Sequence, residues 1–218
     1  MVYLPAHFEE QRPDAMHDLI RAHPLGTIVH LGADGLVANH IPFLIEPARG
    51  PHGTLIGHVA RNNDLWREVK SGEESLVVFQ GSDAYISPNW YATKRETHEV
   101  VPTYNYAVVH AYGEIQIHHD EKWVRGVIGK LTKAMESLQP VPWKMADAPR
   151  DYLTMMVGNI VGIEIEITRL IGKTKLSQNR SLADREGAIA GLRSMNSSGD
   201  NETAAAMESL LLEETKIS

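Results

Sequence analysis

The chain has 218 residues, 43% of them hydrophobic, with no cysteine and a formal net charge of −7. The length suits one large domain or two small ones, and the missing cysteine excludes disulfides, thiolate chemistry and zinc sites built on Cys. The acidic balance disfavours tight phosphate-backbone binding, which relies on Lys and Arg, and no stretch reaches the roughly 18 to 20 apolar residues of a membrane span. Met1 to Glu10 carry neither a basic region nor an apolar run, so no secretory signal is expected and a cytoplasmic protein is.

Residues 12–23 read as a helix, with Met16, Leu19, Ile20 and His23 at helical spacing and Asp14 in the first turn. Thr27 to Leu31 and Leu36 to Ile45 read as a hairpin around Ala33-Asp34-Gly35, since Asp-Gly supplies the positive φ of a tight turn. After a Pro/Gly loop, Thr54 to Val59 is a third strand, and Asn63-Asp64 opens a short helix. Ser75 to Gln80 and Ala84 to Ser87 are read as two strands around Gly81-Ser82-Asp83, and Thr103 to Ile117 as one long strand. The longest helix is predicted from Asp120 to Leu138, with Val124, Val127, Ile128, Leu131, Met135 and Leu138 as its apolar stripe. A short helix follows from Arg150 to Val157. Ile163 to Thr168 alternates, so one face is expected buried and one wet, and the strand is expected to run on toward Lys175. Ser181 could cap a helix to Arg193. Residues 194–203 read as a linker, and Ala204 to Glu214 as a short helix. Strands linked by hairpins and interrupted by helices suggest a mostly β barrel with peripheral α-helices.

There is no Gly-x-Gly-x-x-Gly, Walker loop, Gly-x-Ser-x-Gly or His-Glu-x-x-His, so hydrolase, NTPase and zincin readings lack support. The histidines are scattered apart from His118-His119, and no metal site is expected. Four segments remain as candidates. His58-Val59-Ala60-Arg61-Asn62-Asn63 joins a strand to a helix, where backbone N–H groups and Arg61 could meet a phosphate; a capping Asn beside a surface Arg explains it as well. The segments Ala84 to Tyr91 and Val101 to Tyr106 set Tyr85, Trp90, Tyr91 and Tyr104 beside polar acceptors, including Ser87. That suits a planar heteroaromatic ligand, or a core edge or subunit interface. Ser177-Gln178-Asn179-Arg180 could bond a ring, a ribityl chain or a phosphate, or serve as a turn into the last large helix.

Six stretches occur in order: Tyr3 to Phe8, Ala38-Asn39-His40-Ile41-Pro42, Gly57 to Asn62, Tyr85 to Pro88 with Trp90-Tyr91, Val101 to Tyr106, and Lys175-Leu176-Ser177-Gln178-Asn179-Arg180. Together they resemble the PaiB-type family of FMN-binding negative transcriptional regulators, over about residues 1 to 193. That family is similar in fold to pyridoxamine 5'-phosphate oxidases. The resemblance implies a dimeric FMN-binding split barrel over 1–193; residues 194–218 exceed the family core and read as a flexible tail with a short helix, or as a protein-contact helix. It places the flavin ring along Asn39, His40, Ile41 and Pro42, and the phosphate at His58, Arg61 and Asn62, beside Val59. The partner subunit would offer the aromatic segments or Ser177 and Gln178. Position 104 is Tyr where the family more often has Trp.

The resemblance implies a repressor, yet no recognition helix is visible, and the charge does not support direct DNA binding. The alternatives are an FMN-dependent oxidoreductase, in which the flavin carries the chemistry, with His40, His58, Tyr85 and Tyr104 available as nearby polar groups, and a haem-binding split barrel.

Overall fold

A computed structural model describes residues 2–217. In chain order its elements are β1 (Glu9–Glu10), α1 (Pro13–Ala22), β2 (Leu25–Gly32), β3 (Gly35–Pro42), β4 (Leu44–Glu46) and β5 (Thr54–Ala60). They continue with α2 (Leu65–Glu68), β6 (Glu74–Ile86), α3 (Lys94–Thr97), β7 (Thr103–His118), α4 (Glu121–Glu136) and α5 (Arg150–Gly158). The last are β8 (Ile160–Glu166), β9 (Arg169–Lys175), α6 (Leu182–Met195) and α7 (Ser198–Ile217). Two units divide them. A strand-rich unit comprises Pro13–Phe79 and His110–Leu170. A helix-capped unit takes the described residues up to Arg12, then Gln80–Val109, then those from Ile171 on.

The sheet order is β3-β2-β6-β7-β8-β5-β4. In the strand-rich unit β2 and β3 pair antiparallel from Leu25↔Pro42 to Gly32↔Gly35. Only Ala33 and Asp34 form the turn between them, and Gly35 takes φ +123°, a conformation L side chains resist. The single strand expected to reach Ile45 is broken at Phe43. Its N–H bonds the Pro24 carbonyl (2.8 Å), and its ring is buried edge-on against Phe79, 6.0 Å between centroids. α4 is capped by Asp120, whose carboxylate accepts from the Trp123 N–H at 2.8 Å. It lays Val127 and Leu131 on Ile56 of β5.

Two strand predictions change. Gly81-Ser82-Asp83 is not a turn, because β6 runs through it. The buried positions switch there from Ser75, Val77 and Phe79 to Ala84 and Ile86, a slip of one residue in the alternation, as a bulge produces. β8 ends at Glu166 and β9 begins at Arg169, the break being held by Ile167 N–H to Gly53 O (3.0 Å) and Thr168 N–H to Tyr112 O (2.9 Å). Glu164, expected on a wet face, is only 7% exposed.

In the helix-capped unit β1 pairs β9, with Glu9 opposite Lys173. Its core joins Ala84, Ile86, Tyr91 and Leu176 to Ala188 and Leu192 of α6 and Ala204 and Met207 of α7. The linker expected over 194–203 is absent. Asn196 ends α6 in the left-handed region at φ 55°. The Ser197 hydroxyl then accepts from the Asp200 N–H (3.2 Å) and starts α7. The Ser/Gly/Asp/Asn run is the opening turn of a helix, with Asp200 placed where the helix dipole favours a carboxylate.

Candidate functional site

Strand alternation divides the predicted flavin strand between two faces. His40 and Pro42 are exposed, whereas Ile41 is buried and Asn39 is half-buried. The Asn39 Oδ1 accepts from Asn63 Nδ2 at 2.8 Å, and the Asn63 Oδ1 accepts from the Leu65 N–H at 2.9 Å. The N–H expected to await a phosphate at the start of α2 is therefore taken by Asn63. Sequence reading placed Asn63 at this helix start, but its bond to Asn39, across 24 residues, has no local signal.

Arg61 is turned into the protein. Its Nε donates to Gly158 O (2.7 Å) and its Nη2 to Ile160 O (2.9 Å), while its backbone N–H bonds Asn159 O (2.8 Å). Two of the three guanidinium nitrogens thus clamp the junction of α5 and β8. Arg61→Ala is expected to lower stability by about 2 kcal/mol, the scale of a hydrogen bond from a charged group. Urea denaturation would read this as a reduced midpoint at unchanged slope. Asn62 is exposed, Val59 lies in the core, and His58 is half-buried.

His58, Gly162 and His118 share one rung across β5, β8 and β7. The His118 ring stacks on Trp123 at 3.9 Å and 10°. A Cβ on Gly162 would lie 2.2 Å from Trp123 Cζ3, so only glycine admits the indole. Glu164 sits beside this stack, accepting from Arg49 Nη2 at 2.8 Å, with its other oxygen 3.8 Å from His118 Nε2. Burial pushes the imidazoles of His58, His110 and His118 below the ordinary 6.5. Burial also raises the Glu46 carboxyl, but hydrogen bonds from Arg49 and Lys130 outweigh it and hold the group below its usual 4.5.

Both shifts carry the same sign in the pH profile. The unfolded chain binds protons at these histidines first, so stability is lost as pH falls below 6.5 toward the folded values. The Glu46 contribution is present above 4.5 and lost as pH falls through its lowered folded value. Thermal midpoints are therefore expected to be level from pH 8 to 7, then to decline in two stages. A level profile from pH 6.5 to 5 would mean these imidazoles are solvated.

In the helix-capped unit Tyr85 and Tyr104 are 48% and 55% exposed and meet edge-to-face, 5.8 Å between centroids. Their neighbours serve the fold. The Ser87 hydroxyl accepts from the Asn89 N–H (3.2 Å). Trp90 fills the space left by Gly187 and Gly191, where a Cβ would fall 2.1 Å from the Trp90 carbonyl and ring respectively. Tyr91 is buried, with the Arg180 guanidinium 4.9 Å over its ring. Ser177 adopts φ +66°, and its hydroxyl accepts from Asn105 Nδ2 at 3.0 Å. The Gln178 amide closes its own turn, accepting from Leu176 N–H (2.7 Å) and donating to Thr174 O (2.5 Å). Of the residues predicted here, Tyr85 and Tyr104 present surface to a ligand, while Trp90, Tyr91, Ser177 and Gln178 are engaged internally. Lys173 has no signal of its own in the sequence, although Lys-x-Lys on a strand projects it from the same face as Lys175.

The helices long enough to cross a membrane are not apolar enough to do so among the described residues. Residues 2–169 match the family described as "Putative FMN-binding domain". The chain is 34% identical over 230 residues to an uncharacterized protein of Emericella nidulans, covering 89% of this chain and 91% of that one. It is 29% identical over 211 residues to the protease synthase and sporulation protein PAI 2 of Bacillus subtilis, covering 96% and 98%. Among solved structures, the FAD and heme binding protein from Mycobacterium smegmatis aligns with a TM-score of 0.57 at 16% identity, over 83% of this chain and 79% of that one. The mostly antiparallel β fold with peripheral helices is that of the flavin-binding split barrels. The chain belongs to the FMN-binding family of the PaiB type.

Proposed function

We propose that this chain binds FMN as a homodimer in the cytoplasm and acts as a negative transcriptional regulator of the PaiB type. The observation that carries the reading is the pair of exposed rings at Tyr85 and Tyr104 in a member of this family. Exposed, mutually braced aromatic edges suit a planar heteroaromatic ligand. When bound, FMN supplies hydride and one-electron chemistry. The chain's own part is to seat the ring against the exposed His40 and Pro42 side of β3, with Asn39 and Ile41 supporting that strand from its other face.

The dimer reading draws on an outward row of the β2–β3 hairpin. Leu25, Leu31 and Leu36 are 61%, 50% and 80% exposed, and Leu31 lies directly opposite Leu36. Such a run of leucines on a paired strand face is a surface another chain covers. A chain of 24.2 kDa should then elute with twice that mass. Combined Leu31→Lys and Leu36→Lys is expected to give monomers that lose FMN. The test is light scattering with an absorbance record: co-eluting flavin bands in the dimer peak support the reading, and a colourless dimer after FMN addition rejects flavin binding. Gel shifts with and without FMN then test the regulatory part, and reductant turnover would favour the oxidoreductase reading instead.

A further inference from the structure

Three cations of the helix-capped unit act on one another without an ion pair, whereas Lys94, bonded to Asn89, stands apart from them. Lys173 and Lys175 alternate on β9 and so project from one face, and Arg180 follows the Ser177 turn. All three are half-buried. Arg12, Arg185 and Arg193 of the same unit each pair with a carboxylate. Among the described residues, Lys173, Lys175 and Arg180 meet only neutral partners. Lys173 Nζ donates to the Tyr3 carbonyl (3.1 Å) and lies 5.4 Å from the ring centres of Tyr3 and Tyr106. Lys175 Nζ donates to Thr103 Oγ1 and to the Tyr104 carbonyl (2.6 Å). Arg180 lies over Tyr91.

This arrangement is unfavourable as it stands, because half-buried like charges repel and are poorly solvated. Burial, Lys173 and Arg180 together push the Lys175 ammonium below its ordinary range. An acid is close enough in register to relieve it. Glu9 stands directly opposite Lys173, yet its carboxylate accepts instead from Gln11 Nε2 at 3.0 Å. In a chain of net charge −7, three converging cations without an acid point to a missing anion.

We propose that Lys173, Lys175 and Arg180 bind the dianionic phosphate of a monoester whose remaining body is a planar aromatic ring. Three cationic donors offset the double negative charge and can reach the acceptor oxygens of that group. The ring requirement follows from Tyr3, 81% exposed beside Lys173, and Tyr104, 55% exposed, whose carbonyl Lys175 meets. FMN meets this description, and so does a separate aromatic phosphate ester. The proposal rests on the flavin reading only where FMN is the occupant.

The test is calorimetry on the full-length, flavin-free protein with phenyl phosphate and with inorganic phosphate as probes. The wild type is expected to bind phenyl phosphate, and Lys173→Gln with Arg180→Gln to weaken it at least tenfold. Lys173→Gln alone serves if the double variant does not fold. The melting temperature of either variant should hold or rise, since like charges are removed; a cation with a merely structural role would lower it. Competition identifies the source. Displacement by FMN but not riboflavin assigns the site to the flavin phosphate, and no displacement by FMN assigns it to a second ester. Phenyl phosphate binding in a protein that fails to bind FMN would sink the flavin reading and leave the phosphate site standing. Absence of phenyl phosphate binding to the wild type, or equal binding by the variants, overturns the proposal.

Discussion

A chain ending at Asn196 is expected to be insoluble or to keep a molten helix-capped unit, although its last 22 residues read as a tail. α7 places Thr203, Ala204 and Met207 at 0% exposure, and Ala188 and Leu192 of α6 are covered to the same degree. Its loss also strips Arg185 of Glu214, a 2.6 Å pair in which the arginine is 6% exposed. Glu214 is itself 45% exposed, so this pair adds to the loss, and the uncovered apolar core dominates it. The contacts of Arg12 with Glu213 (2.8 Å) and Arg193 with Glu208 (2.7 Å) go with it. Dye binding and near-ultraviolet circular dichroism would report the lost packing. A soluble truncated protein with an unchanged melting temperature would contradict the role given to α7.

The second large effect is expected at Gly113 of β7. A Cβ there would lie 2.3 Å from the Glu166 carbonyl oxygen and 2.7 Å from Ile165 Cγ2. The first contact is with backbone, so no rotamer change relieves it. The carbonyl of Gly113 also accepts from the Ser75 hydroxyl at 2.8 Å, which pins the strand from its other side. Gly113→Ala must therefore push β7 and β8 apart where Ile115 pairs with Ile165. The expected cost is about 3 kcal/mol, the upper end of overpacking penalties. Thermal and urea unfolding would measure it, and a loss below the resolution of either method would show that the strands accommodate the methyl group.

Periodicity made most of this fold legible. The β2–β3 hairpin, β5, β7, α1, α4 and α6 lie close to where alternation, turn residues and caps predict them. What escaped was decided by distant partners. Phe43 leaves its strand because Pro24 and Phe79 hold it. Glu164 looks like a wet position until α4 and Arg49 cover it. The start of α7 was hidden because Ser, Asn, Asp and Gly serve equally in linkers and in helix N-terminal turns.

The candidate residues were legible as residue types, while their partners in the fold were not. Tyr85 and Tyr104 stand out on the surface, as their neighbourhood in the sequence suggests. Arg61 has the right chemistry for a phosphate but faces carbonyls 97 and 99 residues away, a choice only the fold makes. Lys175 and Arg180 lie in one of the family-like stretches and Lys173 just before it, and nothing in the sequence marks which acids they meet. Their distinction lies in the acids that avoid them.

The helix-capped unit is assembled from three separated stretches of chain, and this dictates when it can exist. Its buried bond between Asn105 and Ser177, with Met207 Sδ 3.4 Å from the same Asn105 amide, ties positions from all of the later stretches. The 80–109 segment can pair within the sheet through β6 and β7, but the core it shares with α6 and α7 closes only once those helices have been made. The strand-rich unit needs nothing beyond Leu170. Translation therefore finishes one half while the other is still a set of loose ends, and long-range closure of that kind is slow. Until then the apolar faces of Ala84, Ile86 and Tyr91 lack the helices that cover them.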